Sequence, residues 1–342
     1  MKSVLVGMSG GVDSSVSALL LKNSGYKVIG ATMNLFEKEN NNSKDAKEVC
    51  DKLSIEHIVL DYKNEFKEDV INYFIDSYKN SKTPNPCVVC NKKLKFGYLY
   101  EYVLDNSIDY IATGHYAKVE YSDKYKRYVL KKADNLAKDQ SYFLYGISKD
   151  VLPHILFPLS SFNSKDEIRK IAKDNNIPTA SKSDSQDICF ISTNYKDYLL
   201  KNSDIKETSG NILLNGKVIG KHTGLYKYTI GQRKGLGIAH EKPLYVIGFN
   251  NINNELIVGL EEDLYVKSFK VKNYNLLLVD EIKKPLEVNV KTRYKSKEYK
   301  ALISMDQDLI NVEFIEPQKG VTKGQSAVFY VDDIVLGGGE IV

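Results

Sequence analysis

The stretch that most constrains this chain is Ser3-Val4-Leu5-Val6-Gly7-Met8-Ser9-Gly10-Gly11-Val12-Asp13-Ser14-Ser15. Val4 to Val6 is a short apolar run of the kind that makes a buried parallel strand. Gly7, Ser9, Gly10 and Gly11 follow as a turn in which a ligand can approach the backbone closely. Val12, Val16, Leu19 and Leu20 then recur at helical spacing, and Gly25 stops the helix. Strand, glycine turn and helix make a cradle for an anion, because free N–H groups and the positive helix end face one point. The common nucleotide loop ends in Gly-Lys-Ser/Thr, but here Gly11-Val12-Asp13-Ser14-Ser15 stands instead, without lysine. A bare glycine turn is ordinary. A Ser-Gly-Gly-Val-Asp-Ser string between strand and helix predicts a nucleotide site.

That string resembles the pyrophosphate-binding loop of the ATP pyrophosphatases. The resemblance implies cleavage of ATP between its α and β phosphates and activation of an oxygen as its adenylate. With 342 residues the chain has room for two or three domains, each with its own core. A net charge of +4 permits nucleic-acid binding without arguing for it. No apolar run approaches a membrane span. The nucleotide loop begins so close to Met1 that no leader is expected ahead of it, and a cytoplasmic protein is the reading. Four cysteines, Cys50, Cys87, Cys90 and Cys189, then argue against structural disulfides and leave catalysis, redox or metal binding.

Strands are predicted at Lys27–Met33, His57–Asp61 and Tyr110–Thr113, with helices over Lys44–Leu53, Glu65–Tyr78 and Asn91–Tyr102 between them. This alternation predicts an α/β fold with a doubly wound parallel sheet, whose ligands sit at the carboxyl ends of the strands. Glu37 to Lys44 reads as a solvated loop, Tyr121 to Lys131 as a charged hairpin, and Ser164 to Asn175 as a capped helix. Cys50 falls within a helical pattern and reads as core. Beyond about residue 200 the texture changes to short apolar alternations broken by turn signals. Ile212 to Ile219, with Asn215-Gly216 at its centre, is a hairpin. Strands are predicted at Tyr245–Phe249, Glu255–Gly259, Val288–Arg293, Lys300–Met305, Asn311–Ile315, Ala327–Val331 and Ile334–Leu336. The chain thus divides into a catalytic domain over 1–200, a small β-rich central domain over 201–260 and a C-terminal β-barrel over 261–342.

Cys87-Val88-Val89-Cys90 with the distant Cys189 is the second signal. A zinc site would want a fourth ligand, and no second Cys-x-x-Cys exists. A redox dithiol would suit Cys-x-x-Cys alone. A catalytic pair of Cys90 and Cys189 suits an ATP-activating enzyme that delivers a soft nucleophile. Two prolines, Pro84 and Pro86, hold the approach extended or turned, and a cysteine at a helix start is expected to carry a lowered pKa. Packing between Ile188 and Phe190 is the ordinary alternative for Cys189.

Gly7 to Ser14, Thr83-Pro84-Asn85-Pro86, Cys90-Asn91-Lys92, Ala112 to Tyr116, Lys138-Asp139-Gln140, Ile188-Cys189-Phe190-Ile191 and Tyr228 to Gly237 occur in this order along essentially the whole chain. Together they resemble the tRNA-specific 2-thiouridylases, the tRNA-uridine 2-sulfurtransferases. The resemblance implies ATP, with Mg2+, adenylating O2 of the wobble uridine, position 34, of tRNAs for glutamate, glutamine and lysine. A persulfide sulfur then replaces the activated oxygen. It assigns Gly7, Met8, Ser9, Gly10, Gly11, Val12, Asp13, Ser14, Met33 and Gly114 to ATP. It assigns Asn85, Pro86 and Cys87 to the target base, and His115, Lys138, Asp139, Gln140, Arg293, Tyr294 and Gln325 to the tRNA. Cys189 would carry the persulfide, and Cys90 would resolve it through a Cys90–Cys189 disulfide. The sulfur would come from a persulfide-bearing carrier or a cysteine desulfurase, and the free protein would be a monomer. Many members carry aspartate where Cys87 stands. Cys87 then acts as a perturbed thiol, or Cys87, Cys90 and Cys189 hold an iron–sulfur cluster. Two other classes compete: an amide-forming synthetase on the same loop, and a non-catalytic tRNA-binding protein.

Overall fold

The computed structural model describes residues 1–36, 41–182, 188–191 and 194–342. Strands β1 (Ser3–Gly7), β2 (Lys27–Asn34), β3 (Glu56–Asp61) and β4 (Tyr110–Ala112) appear where the apolar runs place them. With a short later strand, Ile155–Leu156, they form one parallel sheet in which β1 is central, flanked by β2 and β3 on one side and β4 on the other. The chain therefore winds outward in both directions from β1, and the crevice at a sheet's ligand-binding end opens beside it. Val4, Leu5 and Val6 are completely buried, and they alternate: Leu5 packs with Leu99 and Ile111 on one face, Val4 and Val6 with Val16 and Leu19 on the other. A strand covered on both faces explains its unbroken apolar run.

Residues 63–79 and 86–105 are two continuous helical rods, each with a wider, π-type turn in its middle. The second starts at Pro86, five residues before the expected Asn91, so both Cys87 and Cys90 lie on its first turns. Proline at the first helical position explains this, since its missing N–H would have no partner there in any case. Asn41 to Lys44, expected in a loop, open the helix Asn41–Leu53, while residues 37–40 lie outside the described residues. Ser164 caps the helix Lys165–Asp174 by accepting from the Glu167 N–H.

The chain then builds two β units. Between them and the first sheet's later strands, the remaining strands are β5 (Ala117–Ser122), β6 (Arg127–Lys132), β7 (Ile155–Leu156), β8 (Gly210–Leu214), β9 (Lys217–His222), β10 (Tyr245–Asn250) and β11 (Glu255–Gly259), then β12 (Val266–Leu276), β13 (Leu286–Lys291), β14 (Tyr299–Asp306), β15 (Leu309–Gln318), β16 (Ser326–Val331) and β17 (Ile334–Ile341). β8 to β11 make a four-stranded sheet. The β8–β9 turn has Asn215 and Gly216 at φ of 49° and 75°, the left-handed pair a two-residue hairpin requires. β12-β15-β14-β13-β16-β17 close into a barrel through β12–β17.

Two features escape the sequence pattern. β12 was not expected, because Asn273 and Asn275 punctuate it and only Phe269 and Val271 face fully inward. The hairpin expected from Tyr121 starts at Ala117, and its second strand joins the barrel at Lys131–Ile334. One sheet thus runs from the barrel into the β5–β6 hairpin of the N-terminal unit, which pairs the start of β17 where β12 does not reach it.

Arg293 ties the small central sheet to the barrel. Its guanidinium donates to the Ile230 carbonyl at 3.0 Å and to the Thr322 hydroxyl. Arg293→Ala is expected to speed amide exchange at Gly231 and Gln232 about tenfold, the ~1.4 kcal/mol of a hydrogen bond from a charged group, while the Val4–Val6 amides keep their protection.

Candidate active site

The glycine loop is shaped by its own serines. The Ser9 N–H donates to the Ser14 hydroxyl at 3.2 Å, and Ser14 and Ser15 hydroxyls donate to the Gly11 carbonyl at 3.1 and 2.9 Å. Gly11 caps the helix Val12–Asn23 without any side chain of its own on the first N–H groups, which leaves that end open to an anion. Gly10 has φ of 69°, and a Cβ there would stand 2.6 Å from the Asn42 carbonyl oxygen. Behind the loop, a Cβ on Gly114 would meet Asp13 and the Ser14 nitrogen at 2.9 Å. Met33 lies two residues past Ala31, the β2 partner of Gly7, and so at the same end of the sheet.

Two cations converge on this lysine-free loop from distant sequence. Lys165 pairs with the Asp13 carboxylate, which also accepts from the Tyr116 hydroxyl at 3.0 Å. The Lys182 ammonium donates to the Gly10 carbonyl and to Asn42, both at 3.0 Å, and pairs with Asp45. Neither lysine carried a sequence signal, because lysines on helices and loops are ordinarily solvated.

The thiols form the second centre. Cys189 is exposed at the tip of a turn closed by the Ile191 N–H on the Ile188 carbonyl at 2.9 Å. Its neighbour Phe190 is anchored against Phe66, Phe74 and Tyr198 at ring distances of 5.7, 5.2 and 5.3 Å. Core packing is therefore the role of Ile188 and Phe190, and the thiol between them is presented outward. Cys87 is exposed and Cys90 half-buried on the facing helix, and the three thiols lie close enough for each of Cys87 and Cys90 to raise the pKa of Cys189.

All three are weak acids here. Burial, then the neighbouring thiols, push Cys189 up to about 12, and burial pushes Cys87 and Cys90 up as well. Solvent touches these side chains, yet the protein around them leaves a thiolate poorly hydrated. This corrects the expectation of a lowered pKa at the helix start. A helix end contributes ~0.3–1 kcal/mol, under one pKa unit, whereas desolvation shifts a thiol by several. The one opposing charge is Lys95, a half-buried lysine that lowers all three and has no partner among the described residues. It also bears on His115, whose pKa burial holds well below its ordinary value.

His115 joins the two centres. It follows Gly114, accepts or donates at the Thr113 hydroxyl at 2.7 Å, and packs on Phe96 at 6.2 Å, one residue from Lys95.

Three family models cover this arrangement: a "tRNA methyl transferase HUP domain" over residues 2–193, a "tRNA methyl transferase PRC-barrel domain" over 196–260 and an "Aminomethyltransferase beta-barrel domain" over 266–341. The chain is 44% identical to the tRNA-specific 2-thiouridylase MnmA of Clostridioides difficile over 99% of its own length and 98% of that protein's. It is likewise 44% identical to the protein of that name from Acetivibrio thermocellus, covering 99% of each. The chain belongs to the tRNA-specific 2-thiouridylases. Among solved structures, NMN synthetase from Francisella tularensis is a faint likeness, at 19% identity and a TM-score of 0.36 over 54% of this chain and 66% of its own.

The other residues singled out for this 2-thiouridylase are placed as follows. Asn85 and Pro86 lead directly into the thiol-bearing helix, and the Asn85 N–H is held by the Tyr73 hydroxyl at 3.3 Å. Asp139 and Gln140 face inward. The buried Asp139 carboxylate accepts from the Ala133 and Ser141 N–H groups, each at 3.1 Å, and from the Ser141 hydroxyl, while Gln140 accepts from the Tyr116 N–H at 3.0 Å. Lys138 is exposed. The Tyr294 ring packs tilted by 40° against Phe143 at 4.5 Å, and the Phe143 carbonyl accepts from Asn91, next to Cys90. Arg293 donates to the Ile230 carbonyl and the Thr322 hydroxyl, and Gln325 to the carbonyls of Thr83 and Pro84.

Among the described residues no group of three His, Cys, Asp or Glu side chains is disposed to hold a metal ion. The iron–sulfur ligand set of Cys87, Cys90 and Cys189 that the sequence left open thus finds no support among the described residues. All four cysteines are free thiols, and Cys50 is buried in the core as expected. No helix among the described residues is long and apolar enough to cross a membrane.

Because only thiolates alkylate, iodoacetamide labelling of Cys189 is expected to climb about tenfold per pH unit from pH 7 to 10, past the plateau an ordinary thiol reaches near 9. Lys95→Ala removes the opposing charge and is expected to slow labelling at every pH. Peptide mapping by mass spectrometry follows both.

Proposed function

We propose that this protein carries out ATP-dependent 2-thiolation of the wobble uridine, position 34, in tRNAs for glutamate, glutamine and lysine. The observation that carries the reading is Cys189, held outward at the tip of an anchored turn beside Cys90 and Cys87. A core cysteine needs no such exposure.

ATP, with Mg2+ on its phosphates as part of the substrate, lies with its phosphates against the N–H groups of Gly10 to Ser14. The uracil is flipped out of the anticodon stack and brought to the Asn85-Pro86-Cys87 end of the helix. Its O2 attacks the α-phosphorus, pyrophosphate leaves, and the uracil C2 now bears AMP as a leaving group. The terminal sulfur of a Cys189 persulfide, delivered by a sulfur carrier or a cysteine desulfurase, attacks C2, and collapse of the adduct expels AMP. The Cys90 thiolate then attacks the Cys189 sulfur. The S–S bond to the nucleotide breaks, its electron pair leaves on the C2 sulfur, and a Cys90–Cys189 disulfide remains for an outside reductant. A persulfide is more acidic than the thiol that bears it, so a thiol held protonated at rest is compatible with a sulfur that is reactive once loaded. Cys87, pushed upward by burial, is suited to giving a proton at neutral pH and poorly suited to taking one.

The test is incubation with unmodified tRNA, ATP, Mg2+ and a persulfide donor, with AMP and 2-thiouridine read by mass spectrometry. Cys189→Ser and Cys90→Ser are each expected to lower thiolation by about 10³-fold or more, and Cys189→Ser to leave pyrophosphate release measurable. An amide-forming synthetase would keep its activity in both variants, and a non-catalytic tRNA-binding protein would release no AMP from the wild type.

A further inference from the structure

The segment from Thr83 to Asn85, which leads into the helix at Pro86, has no secondary structure to hold it. Pro84 and Pro86 lack N–H groups, so only Thr83 and Asn85 can donate from the backbone. Both are held from outside: Thr83 by the Lys323 carbonyl at 2.9 Å, Asn85 by the Tyr73 hydroxyl. The carbonyls of Thr83 and Pro84 are also held, both by one group. The Gln325 carboxamide nitrogen stands 3.0 Å from each, and so spends its two hydrogens on them. Gly324 makes this approach possible. Its φ is 88°, and a Cβ would stand 2.8 Å from the Lys82 Cβ and 3.0 Å from the Thr83 oxygen. The barrel end is itself fixed, since the Gly324 N–H donates to the Ile341 carbonyl and the Ile341 N–H to the Gln325 carbonyl, at 2.9 and 2.8 Å. Lys82 and Glu340 add an ion pair at the same seam.

We infer that Gln325 is a positioning residue: from the C-terminal barrel it sets the place of the Thr83–Pro86 segment, and through it that of Cys87 and Cys90 at the helix start. The barrel then acts on the thiol centre as well as on whatever it binds. A side chain whose two donor hydrogens are committed to protein carbonyls governs the chemical step more than substrate affinity. A shift of the helix start by an ångström is enough to cost ~10²-fold in rate.

The kinetic arm rests on the sulfur-transfer reading, and the chemical arm does not. In the full-length protein, Gln325→Ala and the equally large Gln325→Glu, which sets a carboxylate against two carbonyls, are compared with wild type. Expected are a fall in kcat for thiolation of about tenfold to a hundredfold with KM for tRNA within about twofold, and Glu worse than Ala. In the free protein, maleimide labelling of Cys87 should change at least about threefold in both variants, with Cys50 in the core unlabelled as a check of folding. If Gln325→Ala does not fold, the isosteric variant carries the comparison. A raised KM or tRNA Kd with unchanged kcat and unchanged Cys87 labelling would overturn the inference, because Gln325 would then be a substrate contact. If the wild type thiolates no tRNA, the functional reading fails while Cys87 labelling still decides the role of Gln325.

Discussion

Backbone N–H groups must be presented to a polyanion without side chains in the way, and the protein is arranged around that need. The strand β1 delivers them. Because Val4, Leu5 and Val6 are covered on both faces, the end of the strand cannot drift, and the turn from Gly7 to Gly11 is carried on a rigid stem. The glycines serve two separate purposes there. Gly10 takes a left-handed conformation against the Asn42 backbone, and Gly114, from the neighbouring strand, lets that strand close on Asp13 and Ser14. The positive charge that the loop lacks arrives as Lys165 and Lys182, one on the Asp13 carboxylate and one on the Gly10 carbonyl.

The thiol centre answers to a different balance. The start of the helix at Pro86 favours a thiolate by less than one pKa unit, and burial disfavours it by more, so the resting thiols are protonated. A thiol held protonated is less open to oxidation and to metals than a thiolate. Lys95 is the one charge that works the other way, and a single cation there acts on the three thiols and on His115 alike.

The β units do more than extend the surface. The barrel shares a sheet with the β5–β6 hairpin of the catalytic unit, grips the central sheet through Arg293, and braces the proline segment through Gln325. Residues that resemblance assigns to tRNA contact are thus also joints between the parts of the protein.

The sequence by itself determined the parallel sheet, the anion loop, the Asn215-Gly216 hairpin and the barrel strands β13 to β17, though not β12, because each rests on local rules: apolar period, glycine position and turn chemistry. It also carried the ordered strings that mark the family. Tertiary structure alone decided that Cys189 faces out while Ile188 and Phe190 face in, since all three belong to one apolar run and only the position of Phe66, Phe74 and Tyr198 distinguishes them. It decided the sign of the thiol shifts, because burial depends on segments a hundred residues away, and it found Lys95, Lys165 and Lys182 among the many lysines of the chain. It likewise turned Asp139 inward and set Gln325 on the proline segment 241 residues from Pro84. Local patterns report what a few neighbouring residues prefer, whereas desolvation and long-range hydrogen bonds depend on what the fold brings alongside.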